Sequence, residues 1–370
     1  MLKVVLKKKI DSSYPIIIEE GILTRIPKLL ASRHPGAHVI IIADSVTSRL
    51  FGKRLSAGLR AHKFRVLLLS VPQGERSKTR AYKASLEEKM LKAGCDRKSV
   101  IVAVGGGVVG DLAGFVAATY MRGITYVQVP TTLLAMVDSS IGGKTAINTE
   151  RGKNLIGAFH QPEAVYIDPG CLSTLSARHI ANGLAEAAKV FITRDKKSFL
   201  FLEKNLEKAL QKKVDVLKHI INRAVRIKAR IVEEDEREKG VRAILNFGHT
   251  IGHAIEKLSG YRMLHGEAVV LGMLVESGIA RRHGILSEDD YKRITALSLR
   301  LGMRPVTLGR WNARSILMAT KGDKKSSGGL TRYVLLKKIG IPDVRGGVYT
   351  HVVPDKDVIA ELRNAVLLAK

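Results

Sequence analysis

Short apolar runs rich in β-branched residues recur through the first half of the chain, at 39–42, 66–69, 100–104, 126–129 and 165–167. Each run is continuous rather than alternating, the pattern of a strand covered on both faces. Stretches with helical spacing, such as 78–93, lie between them. Regular alternation of the two predicts a parallel sheet flanked by helices, an α/β class domain. From about Ser176 the pattern changes. Leu217, Ile220, Ile221, Ala224, Ile227 and Ile231 share one face of a helix over Val214–Glu234, and further helices are expected over 250–258 and 267–282. Only 333–336 reads as a strand in this half. A boundary near 169–176 follows, giving an α/β nucleotide-binding domain over 1–172 and a mainly α-helical domain over 173–370. The length of 370 residues suits two domains.

Composition changes this picture little. A hydrophobic fraction of 45% and a charged fraction of 26% describe an ordinary globular chain. No apolar run approaches the roughly 20 residues of a membrane span, and residues 1–10 alternate Val and Leu with Lys instead of forming an export signal. A cytoplasmic protein without a membrane partner is expected. Cys95 and Cys171 lie in no metal-binding spacing and read as reduced, packed thiols. The net charge of +28 raises the question of nucleic acid. The basic residues are dispersed, however, with small knots such as Lys196-Lys197 and Lys212-Lys213, and no tail or nucleic-acid motif accompanies them. A solvated basic surface that draws in an anionic substrate is the preferred reading.

Chemistry concentrates in three places. Gly105-Gly106-Gly107 follows the 100–104 run and precedes an apolar helix at 112–118. Glycines there let backbone N–H groups approach a phosphate at a helix N-terminus, although a tight strand-to-helix turn needs glycine for sterics as well. Asp44, at the end of an earlier run, suits a ribose hydroxyl or, equally, a helix cap. The second place crowds Thr131, Thr132, Asp138, Lys144, Lys153, Asn154 and His160 into one strand end and its loops, where open α/β sheets present ligand groups. The third holds His249 and His253 one helical turn apart, His265 at the next helix start, and Glu186 with Lys189 in an apolar stretch. One carboxylate with two histidines is a catalytic zinc set. Spacing alone favours His249 and His253 as the histidine pair. Lys228 sits on an apolar helical stripe and needs an anion or an exit to water, and Arg242 suits a substrate carboxylate.

Segments 105–124, 130–148, 153–162, 235–256 and 264–269 together resemble the 3-dehydroquinate synthase family, in order and spacing, over nearly the whole chain. The resemblance implies a Rossmann-like N-terminal domain, a mainly α-helical C-terminal domain, an active site in the cleft between them, and a homodimer. It implies a carbon–oxygen lyase of the shikimate pathway that turns a phosphorylated sugar acid, 3-deoxy-D-arabino-heptulosonate 7-phosphate, into 3-dehydroquinate and phosphate, with NAD and zinc or cobalt as cofactors. Carried over by position, the metal ligands are Glu186, His249 and His265, which leaves His253 as an acid/base or phosphate-contacting group. Asp138, Lys144, Asn154, Lys189, Lys228, Arg242 and Asn246 contact substrate, with Lys324 or Lys325. Glu238 accepts a proton, and Arg122 reaches the phosphate of a neighbouring subunit's site. NAD lies against Asp44, Glu75, Lys78, Gly106, Gly107, Val108, Asp111, Thr131, Thr132, Lys144, Lys153, Cys171 and Thr174. One departure is visible: the family's Asp-x-Asn at the first NAD contact reads Asp44-Ser45-Val46 here, and Val46 offers no side-chain hydrogen bond. The rival readings are a cyclase for sedoheptulose 7-phosphate or glucose 6-phosphate, a polyol dehydrogenase, and a basic nucleic-acid-binding protein.

Overall fold

The computed structural model describes residues 11–302, 311–321 and 330–367. The chain divides into two compact units, one formed by the chain up to Pro130 together with Gly143–Asp168, the other by Thr131–Gly142 together with the chain from Pro169 onward.

The first unit is built on a six-stranded sheet. Its elements run β1 (Ile16–Ile18), α1 (Ile26–Arg33), β2 (His38–Asp44), the single turn α2 (Ser45–Thr47), α3 (Lys53–Ala61), β3 (Arg65–Val71), α4 (Arg80–Lys92), β4 (Val100–Gly105), α5 (Gly107–Thr119), β5 (Thr125–Pro130), β6 (Lys144–Thr149), β7 (Gly152–Phe159) and β8 (Ala164–Ile167). The sheet order is β1-β8-β5-β4-β2-β3, and every pairing in it is parallel. β6 and β7 form a separate antiparallel ribbon. The continuous apolar runs have the cause expected of them. Ile40, Ile42, Ile101 and Ala103 pack on one side with residues of α4 and α5, while Val39, Ile41, Val100 and Val102 pack on the other with α1 and α3. Burying each such side chain is worth about 1.5–3 kcal/mol before chain entropy is subtracted. The helix after the glycine turn begins at Gly107, five residues before its apolar stretch, because the glycine turn itself leads into its first turn.

The second unit is mainly helical: α6 (Ala177–Arg194), α7 (Lys196–Leu210), α8 (Val214–Glu234), α9 (His249–Leu258), α10 (His265–Arg282), α11 (Glu288–Arg300), α12 (Ala313–Lys321) and α13 (Asp355–Leu367). The strand expected at 333–336 is two short ones. β9 (Arg332–Tyr333) pairs with β12 (His351–Val352), and β10 (Leu336–Lys338) pairs with β11 (Ile341–Pro342). Val334 and Leu335 are apolar because they are buried, and the run changes partner between them. No helix among the described residues is long and apolar enough to cross a membrane.

Candidate active site

Three helices of the second unit supply one converging set of groups. Glu186 lies midway along α6, wholly buried. His249 and His265 are the first residues of α9 and α10. The local sequence fixes these starts. Gly248, at φ 77°, makes the left-handed turn into α9, and a Cβ on Gly272 of α10 would meet the Gly248 carbonyl at 1.9 Å, so only glycine lets the two helices approach this closely. The start of α10 is seated on α6 by Gly266, whose N–H donates to Asn182 Oδ1 at 2.6 Å.

The consequence is a set of donors aimed at one point. Ring nitrogens of His249 and His265 and a carboxylate oxygen of Glu186 all lie within 4.8 Å of one another. Glu186 Oε1 is 3.4 Å from His265 Nε2 and 3.8 Å from His249 Nε2. Around a tetrahedral zinc with bonds near 2.1 Å, neighbouring donors sit about 3.4 Å apart. Glu186 Oε1 is buried and takes no hydrogen bond, an arrangement that is costly unless a cation supplies the missing charge. The tautomers suit the same purpose: His249 Nδ1 lies 3.2 Å from the Phe247 carbonyl, and as donor there it leaves the Nε2 lone pair facing Glu186. His265 Nδ1 lies 3.0 Å from Glu256 Oε2. Burial works to depress His265, but the Glu256 and Glu186 carboxylates outweigh it and push the imidazole up to about 10. The site thus holds an excess of negative charge that a proton or a metal ion must balance. The donor set fits a divalent metal with an open position.

His253 is near, its ring centroid 5.3 Å from that of His249 and 5.8 Å from that of His265. Among the described residues it shares a donor group with Glu256 and His265, and not with Glu186 and His249. Spacing placed His249 and His253 on one helical face; the position of Glu186 on another helix decides which histidines converge on it. Glu256 was not among the residues singled out from the sequence. The signal in the sequence is its spacing, three residues after His253 and so on the same helical face; the structure shows it almost fully buried.

A row of alternating charges runs on from Glu186. Its second oxygen, Oε2, accepts from Lys189, one turn along α6. Lys189 Nζ stands 3.8 Å from Asp138 Oδ1, and Lys228 Nζ on α8 donates to both Asp138 O and Asp138 Oδ1 at 2.6 Å. Asp138 is carried by a π-helical turn, Ala135–Ser139. Burial would raise the Glu186 carboxyl, yet the Lys189 ammonium holds it below its ordinary range; for Asp138 the ammonium groups of Lys228 and Lys189 prevail in the same way. Lys228 goes the other way: burial brings it down to about 8, only partly offset by Asp138.

Arg242 is buried, with one guanidinium nitrogen donating to the Glu236 carbonyl and another to the Gly142 carbonyl at 3.1 Å. Gly142 has φ 97°, and a Cβ there would come within 2.4 Å of that second nitrogen, so glycine at 142 is what admits the guanidinium. Asp235 closes the loop ahead of it, accepting from the N–H groups of Lys239, Gly240 and Arg242. Asn246 donates to Glu238, which holds the left-handed conformation at φ 57°. Thr131 and Thr132 belong to the same unit, where the Thr132 hydroxyl accepts from Ala135 N. Cys171 and Thr174 lie in the short helix Pro169–Thr174. Lys324 and Lys325 fall outside the described residues.

The first unit gathers a second group. Lys78, buried, donates to both Asp111 and Asn154. Asn148 links them to Glu75: its side chain donates to Glu75 Oε1 at 2.7 Å and accepts from Asn154 N at 3.0 Å. Lys153 Nζ lies 3.5 Å from Glu75 Oε2. Asp111 stands one turn into α5, whose N-terminus is formed by Gly106, Gly107 and Val108. At the end of β2, Asp44 caps α2, its Oδ1 accepting from Val46 N and Thr47 N. Lys144 opens β6 and is exposed. Arg122 is exposed beyond the C-terminus of α5, at φ 70°; the helix between puts it about 18 Å from the glycine turn.

Comparisons of the sequence with known proteins agree on one family. The sequence model of the 3-dehydroquinate synthase N-terminal region matches residues 68–182, and that of the C-terminal region matches residues 183–326. A 3-dehydroquinate synthase from Desulforamulus reducens is 45% identical over 90% of this chain and 93% of its own. Among solved structures, 2-epi-5-epi-valiolone synthase from Streptomyces hygroscopicus subsp. jinggangensis, with NAD+ and Zn2+ bound, superposes with a TM-score of 0.89 at 28% identity, covering 99% of this chain and 100% of that one. A 2-deoxy-scyllo-inosose synthase complexed with carbaglucose-6-phosphate, NAD+ and Co2+ superposes with a TM-score of 0.86 at 28% identity, covering 94% and 96%. With both halves of the family matched in order and nine-tenths of the chain aligned, this chain belongs to the 3-dehydroquinate synthase family.

Proposed function

We propose that this chain converts 3-deoxy-D-arabino-heptulosonate 7-phosphate to 3-dehydroquinate and phosphate, as a cytoplasmic homodimer that uses NAD and a zinc or cobalt ion. The observation that carries the reading is a buried Arg242 in the same unit as the Glu186, His249 and His265 donors: a guanidinium suited to a carboxylate in the unit that also holds a divalent-metal set. A metal ion held by those three residues supplies a Lewis acid for a substrate hydroxyl, and NAD supplies an acceptor and donor of hydride.

The rest of the chemistry falls to the chain's own groups. Arg242 and Lys228 bind and orient the carboxylate end of the substrate. Lys189 keeps the Glu186 carboxylate ionised and fixed in one rotamer, since Glu186 Oε2 is its partner. His253 moves a proton at the phosphate end, where Lys144 and Asn154 also bind. Glu238, held by Asn246, is a second proton acceptor. NAD would be held by Asp44, Glu75, Lys78, the turn at Gly106, Gly107 and Val108, Asp111, Thr131, Thr132, Lys144, Lys153, Cys171 and Thr174. Lys78, which donates to Asp111 and Asn154, would be the cation available to its phosphates. The distance of Arg122 from the glycine turn of its own chain supports a role in a partner subunit's site.

A coupled assay tests the reading. Given the heptulosonate phosphate, metal and catalytic NAD, the protein is expected to release phosphate and dehydroquinate in equal amounts without net NADH. Turnover of sedoheptulose 7-phosphate or glucose 6-phosphate instead would sink it and make the chain a sister cyclase. NADH accumulation would indicate a dehydrogenase.

A further inference from the structure

We propose that Glu256 is a positioning residue: its carboxylate fixes the ring of His265 and so sets how tightly the divalent ion is held. The proposal rests on the metal reading above. His265 stands between two carboxylates, Nδ1 at 3.0 Å from Glu256 Oε2 and Nε2 at 3.4 Å from Glu186 Oε1. The Nδ1 contact is the hydrogen bond, and the ring cannot turn about its Cβ–Cγ bond without losing it. With a metal ion bound, Glu256 would accept a hydrogen bond from Nδ1–H, which leaves the Nε2 lone pair for the ion shared with Glu186 and His249. A carboxylate one shell behind a ligand imidazole fixes its tautomer and raises its basicity, and losing such a partner typically weakens metal binding roughly 10- to 100-fold.

The helix itself does not call for an acid at this position. Glu256 is only 2% exposed and follows the buried Ala254 and Ile255 in α9, where an aliphatic residue would be buried at less cost in desolvation. The brace is also reciprocal. α9 lends Glu256 to the histidine that begins α10, and α10 lends the fully buried Glu276 to the N–H of Gly248, at 2.9 Å, immediately before the histidine that begins α9. The two histidine-bearing helices are thus each held, at or immediately before the ligand, by a carboxylate of the other.

The test uses the full chain, stripped of metal by a chelator and reloaded with Co2+. Dissociation constants from chelator competition and the visible Co2+ spectrum are compared for wild type and Glu256→Gln. The expected result is a roughly 10- to 100-fold weaker Co2+ complex with a shifted visible band, while the metal-free proteins unfold within a few degrees of one another. A purely structural role would lower metal-free stability and leave the spectrum of the loaded protein unchanged, which overturns the proposal. Equal affinity and equal spectra overturn it as well. If wild type takes up two ions per chain and the variant one, Glu256 is itself a ligand, with His253 and His265, and the positioning role is wrong. Should the amide variant fail to fold, Glu256→Asp withdraws the carboxylate by one methylene and predicts a several-fold loss; wild-type affinity there overturns the proposal. No Co2+ binding by wild type would refute the metal reading itself.

Discussion

Two clusters of charged groups, one in each unit, are satisfied in opposite ways. In the α/β unit, the polar residues near the glycine turn satisfy one another: Lys78 takes Asp111 and Asn154, and Asn148 joins Asn154 to Glu75. In the helical unit, Glu186 carries one oxygen paired with Lys189 and one that takes no hydrogen bond, facing two imidazoles. The first group is satisfied without a ligand, and if it takes NAD as proposed it would trade partners when the nucleotide arrives. The second is electrostatically unfinished and calls for a cation. A reversibly bound cofactor and a resident metal ask for these two designs, and the contrast says which ligand each unit should lose more readily.

The contrast can be broken most sharply at Glu186. Glu186→Gln should cost roughly 10³-fold or more in kcat/KM, several kcal/mol of charge stabilisation, and metal analysis should find the purified variant depleted. Full metal content with full activity would end the distinction between the units. Arg242→Ala comes next, with a loss of about 3 kcal/mol, roughly 10²-fold in kcat/KM. Metal should remain bound, and intact turnover of the carboxylate substrate would remove Arg242 from carboxylate recognition.

Lys228 gives a pH signature. Burial brings it down to about 8, so it is cationic below that pH and neutral above it. An anionic substrate should therefore bind progressively less well as pH rises through 8, seen as an alkaline limb in kcat/KM. In Lys228→Arg, which stays charged, that limb should move upward; an unmoved limb assigns it to another group. The smallest effect belongs to the α/β unit. Val46→Asn restores a side-chain donor beside Asp44 and should tighten NAD by about 1 kcal/mol, roughly fivefold, by equilibrium titration. No change would mean that the Asp44 carboxylate alone serves the ribose.

The sequence disclosed the α/β half well because its strands are buried on both faces. A surface helix or a half-solvated strand would break a continuous apolar run such as Ile40, Ile41 and Ile42 with polar positions. The helix over Val214–Glu234 was legible from its periodicity for a related reason. What periodicity does not carry is the partner. His249 and His253 share a helical face, yet Glu186 and the start of α10 determine that His265 converges with His249. The row Glu186–Lys189–Asp138–Lys228 draws on three segments distant in the chain, so only its one-turn pair on α6 could be read locally. The run at 333–336 misled because burial makes residues apolar whether or not they form one strand.

The helical unit is interrupted in the sequence, since Thr131–Gly142 belongs to it although the rest begins at Pro169. During synthesis this loop leaves the ribosome before the chain that will receive it, while the sheet still waits for β8 to slot between β1 and β5. The α/β unit is thereby complete at Asp168 with Asp138 as yet unmatched, because Lys189 and Lys228 have not been made. A premature stop at this point would leave Asp138 without either lysine, and a single crossover near 170 would carry the α/β unit whole but part the helical unit from its own 131–142 segment.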